Sequence, residues 1–307
     1  MCSCLLRAAF IRYGIALMAT VCLAAPLLAI REGEGSEISS ELRHAEIDWQ
    51  RGRLTIRLEA EIPDELATHP GSEYRVQRRL EREAEGLYLD AVHRLQLNSS
   101  GTAEIPLDRD AELTNDVRRA AVGLERRYTG PSADLRRTAV ELSIDIHPTL
   151  TRVFAPHARS RPVPEVPGWH PSGAFTGVVI YATEALPVHG EPRNAVPVPA
   201  LLPRLHDDER FEVVFEPSMV EPEYLQRWGP VGYTQPGREG QVLERVGHNP
   251  LQILASAVFG TDPTDLMIPR QDALRLLARE ENRRLLAEGR VVIVLQPDRT
   301  HEVLVAE

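Results

Sequence analysis

The chain has 307 residues, enough for two modest domains that each bury a core. Apolar residues make up 43% and charged residues 26%, which excludes a chain disordered throughout. The formal charge of −10 argues against a general nucleic-acid binder, which needs a basic face, and all 35 Lys/Arg residues are Arg, a bias read as codon usage.

Arg7 and Arg12 make a basic start with no acid before Glu32, and residues 14–28 form an apolar run. The run is too short for a comfortable transmembrane span, is followed directly by Arg31-Glu32-Gly33, and contains small residues Ala24 and Ala25 as a candidate cleavage site. This pattern predicts a secretory signal peptide over residues 1–25, with an uncleaved anchor as the alternative. Cys22 raises lipidation as a second option, although Val21 before it is larger than a lipobox wants. Cys2, Cys4 and Cys22 all fall in this leader, so the mature chain would have no disulfide, thiolate nucleophile or Cys-ligated metal. The expected location is the periplasm, free or associated with the outer membrane.

Residues 31–44 are rich in Gly, Ser and Glu and read as a flexible lead-in. Residues 45–62 alternate around Gln50-Arg51-Gly52. The pattern predicts a hairpin with Ile47, Trp49, Leu54, Ile56, Leu58 and Ile62 on one face. From Ser72, read as an N-cap, helical spacing links Val76, Leu80, Ala84, Leu87, Tyr88, Ala91 and Leu95. A second helix is predicted over 111–127, stopped by Gly130-Pro131. Val140, Leu142, Ile144 and Ile146 then alternate as a strand returning to the hairpin, closing an α+β domain over 45–150. Five prolines from Pro156 to Pro171 mark a semi-rigid connector at 151–171.

The second domain, 172–297, is organised around residues 175–182. This apolar, β-branched run is read as a central strand buried on both faces. Further strands are predicted over 211–215, 242–246, 251–259, 265–268 and 291–295, and helices over 222–228 and 272–288. Residues 298–307 read as a tail. The fold class is α+β: a hairpin-plus-helices layer, then a β-rich mixed sheet with one or two helices.

The chain has no Gly-x-Ser-x-Gly elbow and no Lys for a phosphate loop. Its ten histidines lack the spacing of a metal-binding helix. No catalytic residue, cofactor or metal site is therefore assigned. Three constellations come nearest. His206, Asp207 and Asp208, with Glu209, could hold a cation, but they sit where a hairpin must turn, and Asp is a turn residue in its own right. Residues 260–265 lack the ligand spacing of a calcium loop. Tyr224, Trp228 and Tyr233 could line a groove or pack as a satellite core.

The order of short motifs in the C-terminal half adds a resemblance. Those motifs are Thr176-Gly177 with the following Val-Val-Ile, Pro203-Arg204, Gly232-Tyr233, Arg245-Val246-Gly247, Asn249-Pro250, Thr264-Asp265, Asp272-Ala273 and the run from Arg290 to Val294. On these residues the stretch 175–295 resembles secreted proteins of diderm bacteria related to outer-membrane lipoproteins of the twenty-kilodalton type. It is also similar to part of the periplasmic flagellar assembly protein T. Those relatives carry an Asp after the Val-Val-Ile run and an Arg two residues on. Tyr181 and Thr183 stand there in this chain, so no charged site carries over. The resemblance implies an envelope protein.

The expected function is therefore a non-catalytic, exported binding or scaffolding protein linked to the outer membrane or the flagellar apparatus. Its expected partners are envelope or motility proteins and not nucleic acid, with peripheral membrane association admitted. The alternative is a periplasmic hydrolase assembled from dispersed His and acidic residues, with His206, Asp207 and Asp208 as first candidates.

Overall fold

Alternation in the sequence becomes a sheet with one dry face. A computed structural model describes residues 42–63, 71–129 and 136–306. Strands β1 (Leu42–Asp48) and β2 (Arg53–Glu61) pair antiparallel across a turn in which Gly52 takes φ 63°. Ile47, Trp49, Leu54, Ile56, Leu58 and Ile62 are all buried, as the alternation predicts. Helix α1 (Ser72–Arg94) lays Val76, Leu80, Leu87 and Tyr88 on that face. Ser72 is its first helical residue, and the N-cap is Gly71, with no side-chain cap.

A short hairpin follows, β3 (Gln96–Asn98) and β4 (Gly101–Thr102), and then helices α2 (Glu104–Arg109) and α3 (Ala111–Ala120). Asp110 caps α3 by accepting the Glu112 and Leu113 N–H groups. The second helix does not reach residue 127. A 3-10 turn at Ala121–Gly123 ends it, and the chain enters β5 (Glu125–Thr129), which pairs with β6 (Arg137–Asp145). Glu125, Arg126 and Arg127 carry no apolar stripe to hold a helix on the core, whereas an edge strand needs only backbone pairing. β6 pairs with β2 along its length, and α4 (Ile146–Phe154) leads out of the layer.

The strands of the C-terminal half are β7 (Val178–Tyr181), β8 (Leu186–Pro187), β9 (Asn194–Ala195), β10 (Leu205–Asp207), β11 (Val213–Phe215), β12 (Gly232–Thr234), β13 (Leu251–Leu254), β14 (Ala257–Phe259), β15 (Asp265–Ile268) and β16 (Val291–Val294). Its helices are α5 (Pro222–Trp228), α6 (Leu243–Val246), α7 (Arg270–Leu277) and α8 (Glu280–Ala287). One four-stranded sheet, β12-β16-β7-β13, is wholly parallel. The organising strand β7 lies inside it, with Val178, Val179 and Ile180 buried. The other, β11-β10-β15-β14, is mixed.

Three expectations change here. The strand expected over 251–259 is two, β13 and β14, which turn at Ala255-Ser256 from the parallel sheet into the mixed one. Residues 242–246 are not a strand: a 3-10 turn runs into α6. Val242 and Val246, four apart, share one face of that turn and cover Val179, Val292 and Val294 on the sheet's second face. The helix expected over 272–288 is two helices, broken at Arg279, which is extended. The break seats Asn282, which is fully buried. Its amide donates to Ser172 Oγ and the Gly173 and Arg275 carbonyls, and its carbonyl accepts the Phe175 N–H.

The residues expected as a tail form β17 (His301–Ala306), which pairs with β1 and completes the first sheet as β17-β1-β2-β6-β5. A single buried cluster runs from Ala45 to Val305 through both halves. The connector is packed coil: Arg161 N–H bonds the Ser218 carbonyl, His157 pairs with the Val220 carbonyl, and Val163 and Val166 rest on the core. Among the described residues, no helix is long and apolar enough to cross a membrane. The leader, its three cysteines, most of the lead-in and the Gly130-Pro131 stop lie outside them.

Candidate functional site

The motif residues fall into clasps at the ends of the short C-terminal strands. At the start of β7, Thr176 exchanges backbone and side-chain bonds with Asn249, and its hydroxyl donates to the Val246 carbonyl at 2.7 Å. Gly177 and Gly247 permit that approach. A Cβ on Gly177 would lie 2.5 Å from Val246 Cα, and Gly247 takes φ 69° with Thr176 directly against it. Pro250 ends the loop before β13, and Pro203 is buried ahead of β10.

Arg245 forms the second clasp. It is 8% exposed and donates to the carbonyls of Trp228 (2.7 Å), Gly229 (2.8 Å) and Gly289 (2.7 Å). These are carbonyls left over where α5 and α8 end, and a cation is favoured there. Burial brings Arg245 down to about 9, which still leaves it charged at neutral pH. A Cβ on Gly232 would lie 3.1 Å from its guanidinium. Tyr233 donates its hydroxyl to the Ala200 carbonyl and accepts the Ala200 N–H, and burial raises its pKa.

Asp265 is the third clasp and joins the halves. It accepts the Arg204 N–H at 3.1 Å and the Ser99 hydroxyl of the β3–β4 hairpin at 2.7 Å. Asp272 pairs with Arg275 in the first turn of α7. Thr176, Asn249, Tyr233, Arg245 and Asp265 thus each hold a neighbouring stretch of chain in place.

His206, Asp207 and Asp208 do come together, but as a turn. Asp207 is fully buried, which by itself raises its pKa. The N–H groups of Arg210, Glu209 and Glu212 and the Arg270 guanidinium outweigh this and hold it below the usual carboxylate value. Asp208 accepts the Arg270 N–H. Burial lowers the pKa of His206 despite the Phe211 carbonyl beside it, and its ring stacks on Phe259 at 4.5 Å. Among the described residues, no group of three His, Cys, Asp or Glu side chains could hold a metal.

A cleft of about 370 Å³ lies where the halves meet. Its walls are the β1–β2 turn with Trp49, the start of α4 with His147, the end of α5 with Arg227 and Trp228, and Tyr233 and Arg245. Trp49 and Tyr233 meet edge to face at 5.6 Å, and Arg227 lies over the Trp228 ring while pairing with Glu244. Burial, with Arg245 nearby, pushes His147 down to about 3, so its ring is neutral. Of the three aromatics singled out in sequence, Trp228 and Tyr233 line this cleft, and Tyr224 stacks on Trp228 from behind. The placing of His147 and Trp49 in the cleft escapes sequence reading because nothing local shows that a hairpin tip and a helix start face residues far along the chain.

Fold and cleft together define a two-part α+β protein, an antiparallel layer joined to a parallel-sheet layer. Two family models match it in that order: the N-terminal domain of Treponema pallidum Tp0624 over residues 42–153, and the second domain of the same protein over 177–297. The matches are to these domains rather than to the lipoprotein or flagellar proteins named above. No curated protein matches the chain.

Proposed function

We propose that this is a non-catalytic envelope protein, exported to the periplasm, that binds another envelope or motility component through the cleft between its halves. The observation that carries this reading is how the reactive side chains are used. Asp207, Asp208, Asp265 and Arg245 are committed to backbone groups, whereas the cleft keeps Trp228 and Arg227 at its mouth. Aromatic and Arg side chains at a concave surface are the usual anchors of recognition. The basic, apolar leader supports export. The envelope partner rests on the resemblance read in the motif order of residues 175–295 alone, since the family model matching that stretch is the second domain of Tp0624.

Pull-down from cell envelopes with the mature chain and with Arg227→Glu tests the proposal. A reproducible partner lost in the variant is expected. No partner, together with hydrolase turnover abolished by Asp208→Asn, would make the protein an enzyme instead. Fractionation showing cytoplasmic protein with an intact Met1 terminus would remove the export reading.

A further inference from the structure

A second groove, of about 510 Å³, lies on the outer side of the N-terminal layer, away from the cleft. Three elements converge on it: α1 through Arg82, the end of α3 through Arg118, and β5 through Arg126. Among the described residues, none of these guanidiniums has an ion pair or hydrogen bond, whereas neighbouring Arg119 and Arg53 are paired with Asp116 and Glu125. Glu85 is the one acid on the wall, so the groove carries a net +2 (three Arg less one Glu) in a chain of net charge −10. Its floor is apolar: Leu89, Ala121 and Val122, the last 89% exposed.

Gly86 also lines this groove and supplies an independent sign. It sits mid-way along a 23-residue helix, where Gly costs about 1 kcal/mol relative to Ala. Nothing lies within 4 Å of a Cβ built there, so packing does not require glycine. Its effect is to leave the floor of the groove open beside Leu89. Each arginine alone has an ordinary explanation, as a solvated helix face, a helix C-terminus or a charged edge strand. Those explanations account neither for the convergence of all three nor for the glycine.

We propose that this groove binds a single phospholipid whose headgroup is a phosphate monoester, its phosphate among Arg82, Arg118 and Arg126 and an acyl chain along Leu89, Ala121 and Val122. A phosphate monoester is close to a dianion and offers three acceptor oxygens, which matches both the net +2 and the number of guanidiniums. Arginine meets phosphate oxygens with paired donors. The volume is that of a pocket for one small ligand and not of a flat membrane footprint.

The test is binding of the mature chain to phosphatidylcholine vesicles with and without phosphatidic acid, with short-chain soluble phosphatidic acid and inorganic phosphate as competitors. Binding is expected only with phosphatidic acid present, displaced by the short-chain lipid and far less by phosphate. Replacing all three arginines by Gln should weaken it at least tenfold. Gly86→Leu keeps every charge, fills the floor and favours the helix, and should weaken binding several-fold. Equal binding to both vesicle types overturns the proposal. So does Gly86→Leu binding like the wild type, which would mean adsorption by charge alone. Binding only to an acidic peptide overturns it too.

Discussion

The antiparallel layer and the parallel layer reach the same dryness by different means. In the first, the hairpin strands of seven and nine residues alternate, and Ile47, Leu54, Ile56 and Leu58 join one continuous cluster with α1. In the second, strands of three or four residues are pinned by single groups: Gly177 against Val246, Arg245 on three carbonyls, Asn282 across a helix break. A distributed contact can redistribute volume after a small change. A pinned contact cannot, because the partner is backbone. The difference therefore shows in conservative substitutions more than in drastic ones.

The sharpest break is Gly177→Ala. Its Cβ meets Val246 Cα at 2.5 Å and the Val246 carbonyl at 2.6 Å, and neither atom belongs to a side chain that can turn aside. A loss of about 3 kcal/mol is expected, at the upper end of overpacking, read as a lower denaturant midpoint at unchanged slope. Arg245→Lys comes next. One ammonium cannot reach all three carbonyls, and buried acceptors left alone cost about 1–3 kcal/mol, so a loss of about 2 kcal/mol is expected in the same assay. A wild-type midpoint for either variant would mean that the parallel layer is as adaptable as the antiparallel one.

Acid separates the layers more gently. His147 has a folded pKa near 3, below its ordinary value of 6.5, so below pH 6.5 the unfolded chain takes up a proton that the fold refuses. Stability conferred by the neutral ring is present above pH 6.5 and is lost as pH falls toward 3. The ring sits at a cleft and is partly exposed, so a slope of about 0.5–1.4 kcal/mol per pH unit is expected. His147→Gln should flatten that limb in urea titrations at pH 4 and 7, while His206, shifted the same way, leaves a remainder. The smallest effect is expected in the antiparallel layer. Leu58→Met conserves volume and should cost less than about 1.5 kcal/mol. A larger loss there would erase the contrast.

What could be read in advance follows the same divide. The hairpin, α1 and β6 announce themselves because a half-buried element must repeat its apolar residues at the period of its backbone. The run 175–182 was legible as a central strand because it has no polar alternation at all. Residues 242–246 misled because two valines four apart in a helical turn look, in so short a piece, like a β-branched strand. Gly177 was readable as a close approach, but not what approaches it. The ordered motifs Thr176, Arg245, Asn249 and Asp265 marked real contacts, while their partners, backbone carbonyls and Ser99, leave no trace in sequence. The cleft was half visible, through Trp228 and Tyr233, since its other wall comes from the opposite half of the chain.

The pairing of β17 with β1 also sets the order of events during synthesis. Trp49 donates its indole N–H to Glu302, a bond that spans 253 residues of chain. The first sheet cannot be finished until β17 has emerged, and so distant a closure makes for slow assembly. Until then β1 exposes an unpaired edge. A chain that has not yet presented β17 therefore stays open to chaperones, and the sheet locks only when that strand arrives. The halves are not beads on a string: the antiparallel sheet takes strands from both sides, in sequence, of the parallel one.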